Sequence, residues 1–273
     1  KAAKIYRRAV ELGSVDAMVD LGILYNNGSG VKLDKKKAER LYRAAADRGD
    51  AAAQNRLGAL LHSEEKFEEA VRYYALAANQ GYAAGELNLG SCYGNGQGTE
   101  VDLGKARYWY ARAAAKGHET AITFLGSAYR LGRFGLVKSD KKAAKIYRRA
   151  VELGDVDAMA HLGDLYRTGS GVKLDKKKAE RLYRMAADRG VAIAQYNLAR
   201  GLDAEKKFAE AFRYFALAAN QGFTDAENSL GCYYMDGDGT EVDLGLARYW
   251  FERAAAKGSE RATRNLADLD ARV

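Results

Sequence analysis

Apolar residues recur along the chain at spacings of three and four, the period of a helix with one buried face. In the first such stretch Ala17, Met18, Leu21, Gly22 and Tyr25 share a stripe. A second stretch carries Ala38, Tyr42, Ala45 and Ala46, then Gly49 where a left-handed helix cap is expected. The second series returns as Ala70, Tyr74, Ala77, Ala78, Gly81 and as Ala106, Tyr110, Ala113, Ala114, Gly117. Polar turns separate the stretches, and Asp34, Asp102, Asp175 and Asp243 stand where a helix N-cap is needed. Shorter turns run from Ser63 to Phe67 and from Ala204 to Phe208. A glycine inside a helix costs about 1 kcal/mol relative to alanine, so Gly22 is expected to admit close backbone approach by the partner helix. No alternating pattern of the kind a strand needs competes with these helices.

The pairs of helices themselves repeat. A leucine followed by Gly, Ala or Gly's equivalent marks each unit at Leu21, Leu57, Leu89, Leu125, Leu162, Leu198, Leu230 and Leu266, with spacings of 36, 32, 36, 37, 36, 32 and 36. At a longer scale residues 1–132 align without a gap onto 142–273, an offset of 141. Units of this length cannot bury an apolar face alone and must stack on their neighbours. The expected fold is all-α: an α/α superhelical solenoid of tandem helix-turn-helix repeats, one domain over 1–273, duplicated internally as 1–141 and 142–273 with about four repeats each. Sixteen helices are expected, the first an unpaired second helix and the last an unpaired first helix. Phe124 and Tyr129 become Asn265 and Asp270 in the last unit, so the final helix is expected to be a polar cap.

Composition agrees with a helical, non-membrane array: no proline among 273 residues, 29% charged residues, and no apolar run of membrane-spanning length. The chain starts on Lys1 rather than Met, as expected of a fragment or a processed chain. Cys92 aligns with Tyr233 and Cys232 with Ser91, so neither cysteine is half of a duplicated bridge, and a reducing compartment such as the cytoplasm is favoured.

The run from Ala17 to Gly49, with its Ala-x-x-x-Leu-Gly-x-x-Tyr-x-x-Gly-x-Gly-Val, its capping Asp and its Lys-Ala-x-x-x-Tyr-x-x-Ala-Ala, resembles the Sel-one-like repeat, a relative of the tetratricopeptide repeat. The resemblance covers essentially the whole chain; the unit around Gly58 lacks the Gly-x-Gly-Val loop, and Ala199 and Ala267 replace the usual Gly. It implies a tetratricopeptide-like fold and an adaptor role, as members have in endoplasmic-reticulum degradation complexes, bacterial signalling and virulence, and organelle assembly. The paired cysteines of the disulfide-rich secreted branch are missing.

The duplication tests where the two copies have diverged. On a wheel centred on the unit leucine, offsets −5, −2, +2, +5 and +6 lie opposite it; the resemblance makes these the concave, ligand-facing positions. Of the 20 such pairs between the copies 19 differ, against 27 differences at the other 112 aligned positions. Two readings fit: each copy tuned to a different ligand segment, or free drift of an exposed stripe. Drift would also have scrambled the second helices, yet Lys36, Lys37, Glu39, Arg40 and Arg43 return as Lys177, Lys178, Glu180, Arg181 and Arg184. Tuning is therefore favoured, with an independent partner for the second helices as the other explanation of their constancy. The candidate protein- or peptide-binding residues are Val19, Ile23, Asn26, Asn55, Leu87, Asn95 and Thr123 in a neutral first-copy groove. In a zwitterionic second-copy groove they are Asp164, Arg167, Tyr196, Arg200, Asp225, Asn228, Met235, Arg261 and Arg264.

A net charge of +8 raises nucleic acid or an acidic surface as a rival ligand. The second-copy stripe balances five arginines (Arg167, Arg200, Arg261, Arg264, Arg272) against six aspartates (Asp157, Asp164, Asp203, Asp225, Asp236, Asp268), which is no phosphate groove. The basic excess lies on the second helices, where charge runs are ordinarily solvated faces. Catalysis, metal and cofactor are not expected. His62, His118 and His161 become Asp203, Ser259 and Asp20 in the other copy and read as surface residues. The Gly94-x-Gly96-x-Gly98 run follows a helix rather than a strand and lacks the Lys-Ser/Thr ending of a phosphate loop. Asp236-x-Asp238-x-Thr240 has Glu241 where a calcium loop needs Gly. Trp109 and Trp250 occupy equivalent positions on the second-helix stripe and read as packing residues.

Overall fold

The computed structural model describes residues 1–271, and among these it contains sixteen α-helices and no strand. They fall into two compact units, Lys1–Ser139 and Asp140–Val273. Unit 1 holds α1 (Ala2–Glu11), α2 (Val15–Asn27), α3 (Lys35–Ala46), α4 (Ala51–Ser63), α5 (Phe67–Asn79), α6 (Ala83–Asn95), α7 (Leu103–Ala115) and α8 (Glu119–Leu131). Unit 2 holds α9 (Asp140–Glu152), α10 (Val156–Thr168), α11 (Lys176–Ala187), α12 (Ala192–Ala204), α13 (Phe208–Asn220), α14 (Thr224–Asp236), α15 (Leu244–Ala256) and α16 (Glu260–Asp270). Helix bounds from α2 to α7 recur from α10 to α15 at the offset of 141 read from the sequence. Each unit is an α/α solenoid of helix-turn-helix repeats.

Local chemistry sets the bounds. The carboxylates of Asp34, Asp102 and Asp175 each accept the backbone N–H three residues on at 2.9 Å, and Asp243 does so at 2.8 Å. That bond, made to the ionised form, holds Asp34, Asp102 and Asp175 below the usual carboxylate range. Gly49, Gly81 and Gly117 have φ of +89°, +82° and +84°, the left-handed conformation in which side chains are strained.

At Gly22 the neighbour across the helix pair is a ring rather than the backbone expected, and Gly163 and Gly231 repeat this, whereas at Gly58 and Gly90 backbone does approach: a Cβ there would lie 3.2 Å from the carbonyl oxygen of Ala70 or Ala106. A Cβ on Gly22 would lie 2.5 Å from the Tyr42 ring, one on Gly163 2.9 Å from Tyr183, and one on Gly231 2.5 Å from Phe251. The first helix is thinned so that an aromatic ring of the second helix can lie on it, and at Gly22, Gly163 and Gly231 that ring contact takes the place of the backbone contact expected. Around each seat, Ala38, Ala45 and Leu57 in unit 1 and Ala186, Leu198 and Ala218 in unit 2 are fully or almost fully buried.

Ion pairs join successive repeats. Arg43 on α3 donates to Glu39 and to Glu69 of α5, both at 3.0 Å, and to the Tyr73 hydroxyl at 2.9 Å. Arg184 on α11 repeats the arrangement with Glu180 at 3.1 Å and Glu210 of α13 at 2.5 Å. Stacking of second helices therefore accounts for the constancy of Glu39 and Arg43, returning as Glu180 and Arg184; Lys36 and Arg40, returning as Lys177 and Arg181, take no part in these links. Inside the repeats, Glu86 and Glu227 are 0% exposed. Glu86 accepts from Arg112 at 2.9 Å and Lys116 at 2.8 Å, and Glu227 accepts from Arg253 and Lys257 at the same distances. Lys116 and Lys257 also donate to the carbonyls of Gly81 and Gly222, fastening the preceding turn.

The histidines are not the surface residues expected. All three are half-buried: His62 packs edge-on to Phe67 with ring centroids 5.0 Å apart, and His161 stacks on Tyr147 at 5.2 Å. Each aromatic neighbour offers apolar area that a small polar ring can share. Trp109 is half-buried and Trp250 buried, and an arginine lies over each ring, Arg112 and Arg253.

Candidate functional site

The diverged stripe lies along the first helices, and in unit 2 it gathers around one ring. Tyr196 on α12 is half-buried between Phe215 and Phe223, with ring centroids 5.8 and 5.1 Å away. The Arg200 guanidinium, one turn along the same helix, stands 5.7 Å over the Tyr196 ring. Burial raises the Tyr196 hydroxyl above its ordinary pKa; the charge of Asp225 on α14 adds to the rise, while Arg200 and Arg261 of α16 oppose it. Three successive first helices thus contribute charges within electrostatic range of a single aromatic ring. The arrangement can take an extended segment by stacking, hydrogen bonding and charge pairing at once.

A second cluster sits at the end of α10. Arg167 donates to the Asp164 carboxylate at 2.8 Å, and the Tyr183 hydroxyl donates to the same oxygen at 3.0 Å. The bond to Asp164 raises Arg167 above its ordinary pKa, and burial raises the Tyr183 hydroxyl. Asn228 on α14 accepts from Asn265 on α16 at 2.9 Å, and Met235 lies half-buried against the core formed by Ala247, Phe251, Ala254, Ala262 and Leu269. Arg261 and Arg264 are exposed. Asp203 turns inward to accept from the Tyr233 hydroxyl at 2.6 Å. Arg272, the last of the stripe arginines, lies outside the described residues.

Unit 1 carries the same stripe with Asp16 and Arg130 as its ionised side chains, one of each sign. Val19 and Thr123 are buried, Val19 inside the core formed with Ala45 and Leu57. Ile23, Asn26, Asn55 and Leu87 are half-buried and Asn95 is exposed. Asn55 accepts from Asn88 at 2.8 Å, bridging α4 to α6, Asn26 donates to Asn27 at 3.0 Å, and Asn95 donates to Ser91 at 3.3 Å. The seven residues are spread over α2, α4, α6 and α8 and converge on no single ring.

Two lining residues escaped the sequence reading. Lys176 and Lys177, assigned to a solvated second-helix face, line a cleft with Arg167, Arg200 and Gly201 where α10, α11 and α12 meet. Their signal was the pair Leu60 and Gly201, a difference between the copies outside the stripe. Among the described residues no group of three or more His, Cys, Asp or Glu side chains is placed to hold a metal ion, and no helix is long and apolar enough to cross a membrane.

Comparison with known proteins places this geometry in a family. The Sel1 repeat matches at residues 15–50, 51–82, 83–118, 120–155, 156–191, 192–223 and 224–259. The chain belongs to the Sel1 repeat family. It is 30% identical over 290 residues to the chitin synthase regulator SKT5 of Saccharomyces cerevisiae, covering 99% of this chain and 42% of that protein. It therefore spans less than half the length of that relative. Among solved structures it resembles c5321, a protective antigen of uropathogenic Escherichia coli with an SLR fold, at 32% identity and a TM-score of 0.78, covering 98% of this chain and 59% of that one. It also resembles a Sel1 repeat protein from Oxalobacter formigenes at 30% identity and a TM-score of 0.77, covering 98% and 79%.

Proposed function

We propose that the chain is a non-enzymatic scaffold that binds a peptide or protein segment along its first helices, with unit 2 as the more selective half. The observation that carries this is the Arg200 guanidinium 5.7 Å over the half-buried Tyr196 ring, itself packed against Phe215 and Phe223, with the charges of Asp225 and Arg261 acting on its hydroxyl. Aromatic and arginine side chains surrounded by a charged rim are the composition in which binding energy concentrates. Family membership supports the general reading, since stacked helical repeats work as surfaces for partners. The regulatory role that names the yeast relative supports a partner that is itself a protein.

Affinity capture with mass spectrometry from the source cells, followed by isothermal titration, tests this. The double substitution Tyr196→Ala with Arg200→Ala is expected to weaken the captured protein by about 2 kcal/mol or more. Asn55→Ala, at the neutral counterpart in unit 1, is expected to change affinity for the same ligand segment far less. Arg181→Glu on the second-helix side serves as the charge control; a loss confined to it, or recovery of nucleic acid in place of protein, overturns the reading in favour of a basic-surface ligand.

A further inference from the structure

One difference between the copies opens space where the other is filled. Leu60 on α4 is 5% exposed, a core side chain of unit 1. Its counterpart on α12 is Gly201, which is exposed, and a Cβ built there would meet nothing within 4 Å. A mid-helix glycine with no ring or backbone pressed against it weakens the helix and has no packing role to explain it. What it leaves is a cleft of about 530 Å³ between α10, α11 and α12, within the size range of ligand pockets.

Chemistry divides the walls of this cleft. The floor is Ala179, Leu198 and the buried Tyr183 ring. The rim is Arg167, Lys176, Lys177 and Arg200. Its two carboxylates are already answered: Glu180 by Arg184 at 3.1 Å and Glu205 by Lys207 at 2.6 Å. Arg167 is answered by Asp164. Lys176, Lys177 and Arg200 have no carboxylate in salt-bridge range among the described residues. In unit 1 the positions of Arg167 and Arg200 are Asn26 and Ala59, and Arg56 stands where unit 2 has Asn197. Unit 2 thus has glycine where unit 1 has leucine, and it adds two arginines at the mouth beside a lysine pair that both copies share, Lys35 and Lys36 in unit 1.

We infer that this cleft is the specificity pocket of unit 2, taking one bulky apolar side chain of a partner segment whose flanking residues are Asp or Glu. The apolar side chain would occupy the volume that Leu60 fills in unit 1, and the flanking carboxylates would meet Lys176, Lys177 and Arg200. The inference rests on the segment-binding reading and adds the ligand's class.

Panning a phage-displayed random peptide library on the full chain tests both separately. The expected outcome is enrichment of peptides with a large apolar residue beside acidic ones. A synthesised winner should bind Gly201→Leu about ten-fold more weakly or worse, a change of about 1.4 kcal/mol, with circular dichroism confirming that the variant folds. Because unit 1 already holds a leucine at that position, the substitution is compatible with the repeat. The Lys176→Glu, Lys177→Glu variant should shift the selected flanks from acidic to basic. Winners lacking the pattern, or binding Gly201→Leu as tightly as the unaltered chain while losing affinity to Tyr196→Ala, overturn the pocket and leave segment binding standing. A library from which nothing is enriched overturns both, as does self-association abolished by Gly201→Leu, which would make a second copy the occupant.

Discussion

Glycine means two opposite things in this chain, and the difference is visible only in what surrounds it. At Gly22 the Tyr42 ring lies where a Cβ would go, and that ring is itself only 3% exposed, so it has nowhere to move. Gly22→Ala is therefore expected to destabilise by about 1 to 3 kcal/mol through overpacking, even after the gain in helix propensity. At Gly201 the same change meets open space and is expected to stabilise by about 1 kcal/mol. Thermal or urea denaturation of the two variants checks the pair, and equal signs would refute the assignment of the one as a ring seat and the other as an opening. The Leu-Gly spacing was legible from the sequence; the ring pressed on Gly22 was not, because a glycine inside an apolar stripe looks the same whether backbone, ring or nothing faces it.

At the scale of single helices, the last helices of the two units differ. Helix α8 buries Ala121, Ile122, Thr123, Gly126 and Ala128, whereas α16 buries only Ala262 and Leu269. Its Asn265 hydrogen-bonds to Asn228, and Asp270 pairs with Arg248. The polar cap expected from Phe124 and Tyr129 giving way to Asn265 and Asp270 is what α16 presents. Amide hydrogen exchange is expected to be faster over 262–270 than over 121–131. Equal protection in the isolated chain would mean that another molecule covers α16. The second helices teach the converse lesson: their constant charges invited a partner as explanation, and for Arg43 and Arg184 the links to Glu69 and Glu210 supply a structural one.

Over the whole molecule, burial of hydroxyl and thiol groups sets a limit at high pH. Desolvation pushes the Cys92 and Cys232 thiols up to about 11 and the Tyr110 hydroxyl up to about 12, and it raises Tyr42, Tyr74, Tyr183 and Tyr233 as well. A folded-state pKa above the unfolded one means the folded chain holds more protons in between. Its contribution is complete below the ordinary pKa and is lost as pH rises through the folded value. Stability is expected to be level to about pH 9 and to fall above about pH 10, read by helical circular dichroism across an alkaline titration; a flat profile to pH 12 would contradict the burial of these groups. We further propose that 1–273 is one domain, with its duplicated blocks coupled as neighbouring repeats are in an array. Trp109 and Trp250 give each block its own probe. Urea transitions followed in Trp109→Phe and Trp250→Phe chains should coincide, and two separated midpoints would show the blocks to be independent.

Helix number, repeat length and the capping aspartates could be read from the chain because they depend on neighbours three, four or thirty-six residues away, all of which periodicity records. The stripe could be located too, since the chain carries two copies of itself and the copies disagree there. Depth along that stripe was decided by packing: Val19 and Thr123 are buried while Arg200 and Arg261 reach solvent, although all four sit at stripe positions. The same is true of the convergence on Tyr196 and the cleft at Gly201, each assembled from three helices. Such meetings depend on how far one helix stands from the next, and that distance is set by the summed volumes of side chains between them, which no single position in the sequence states.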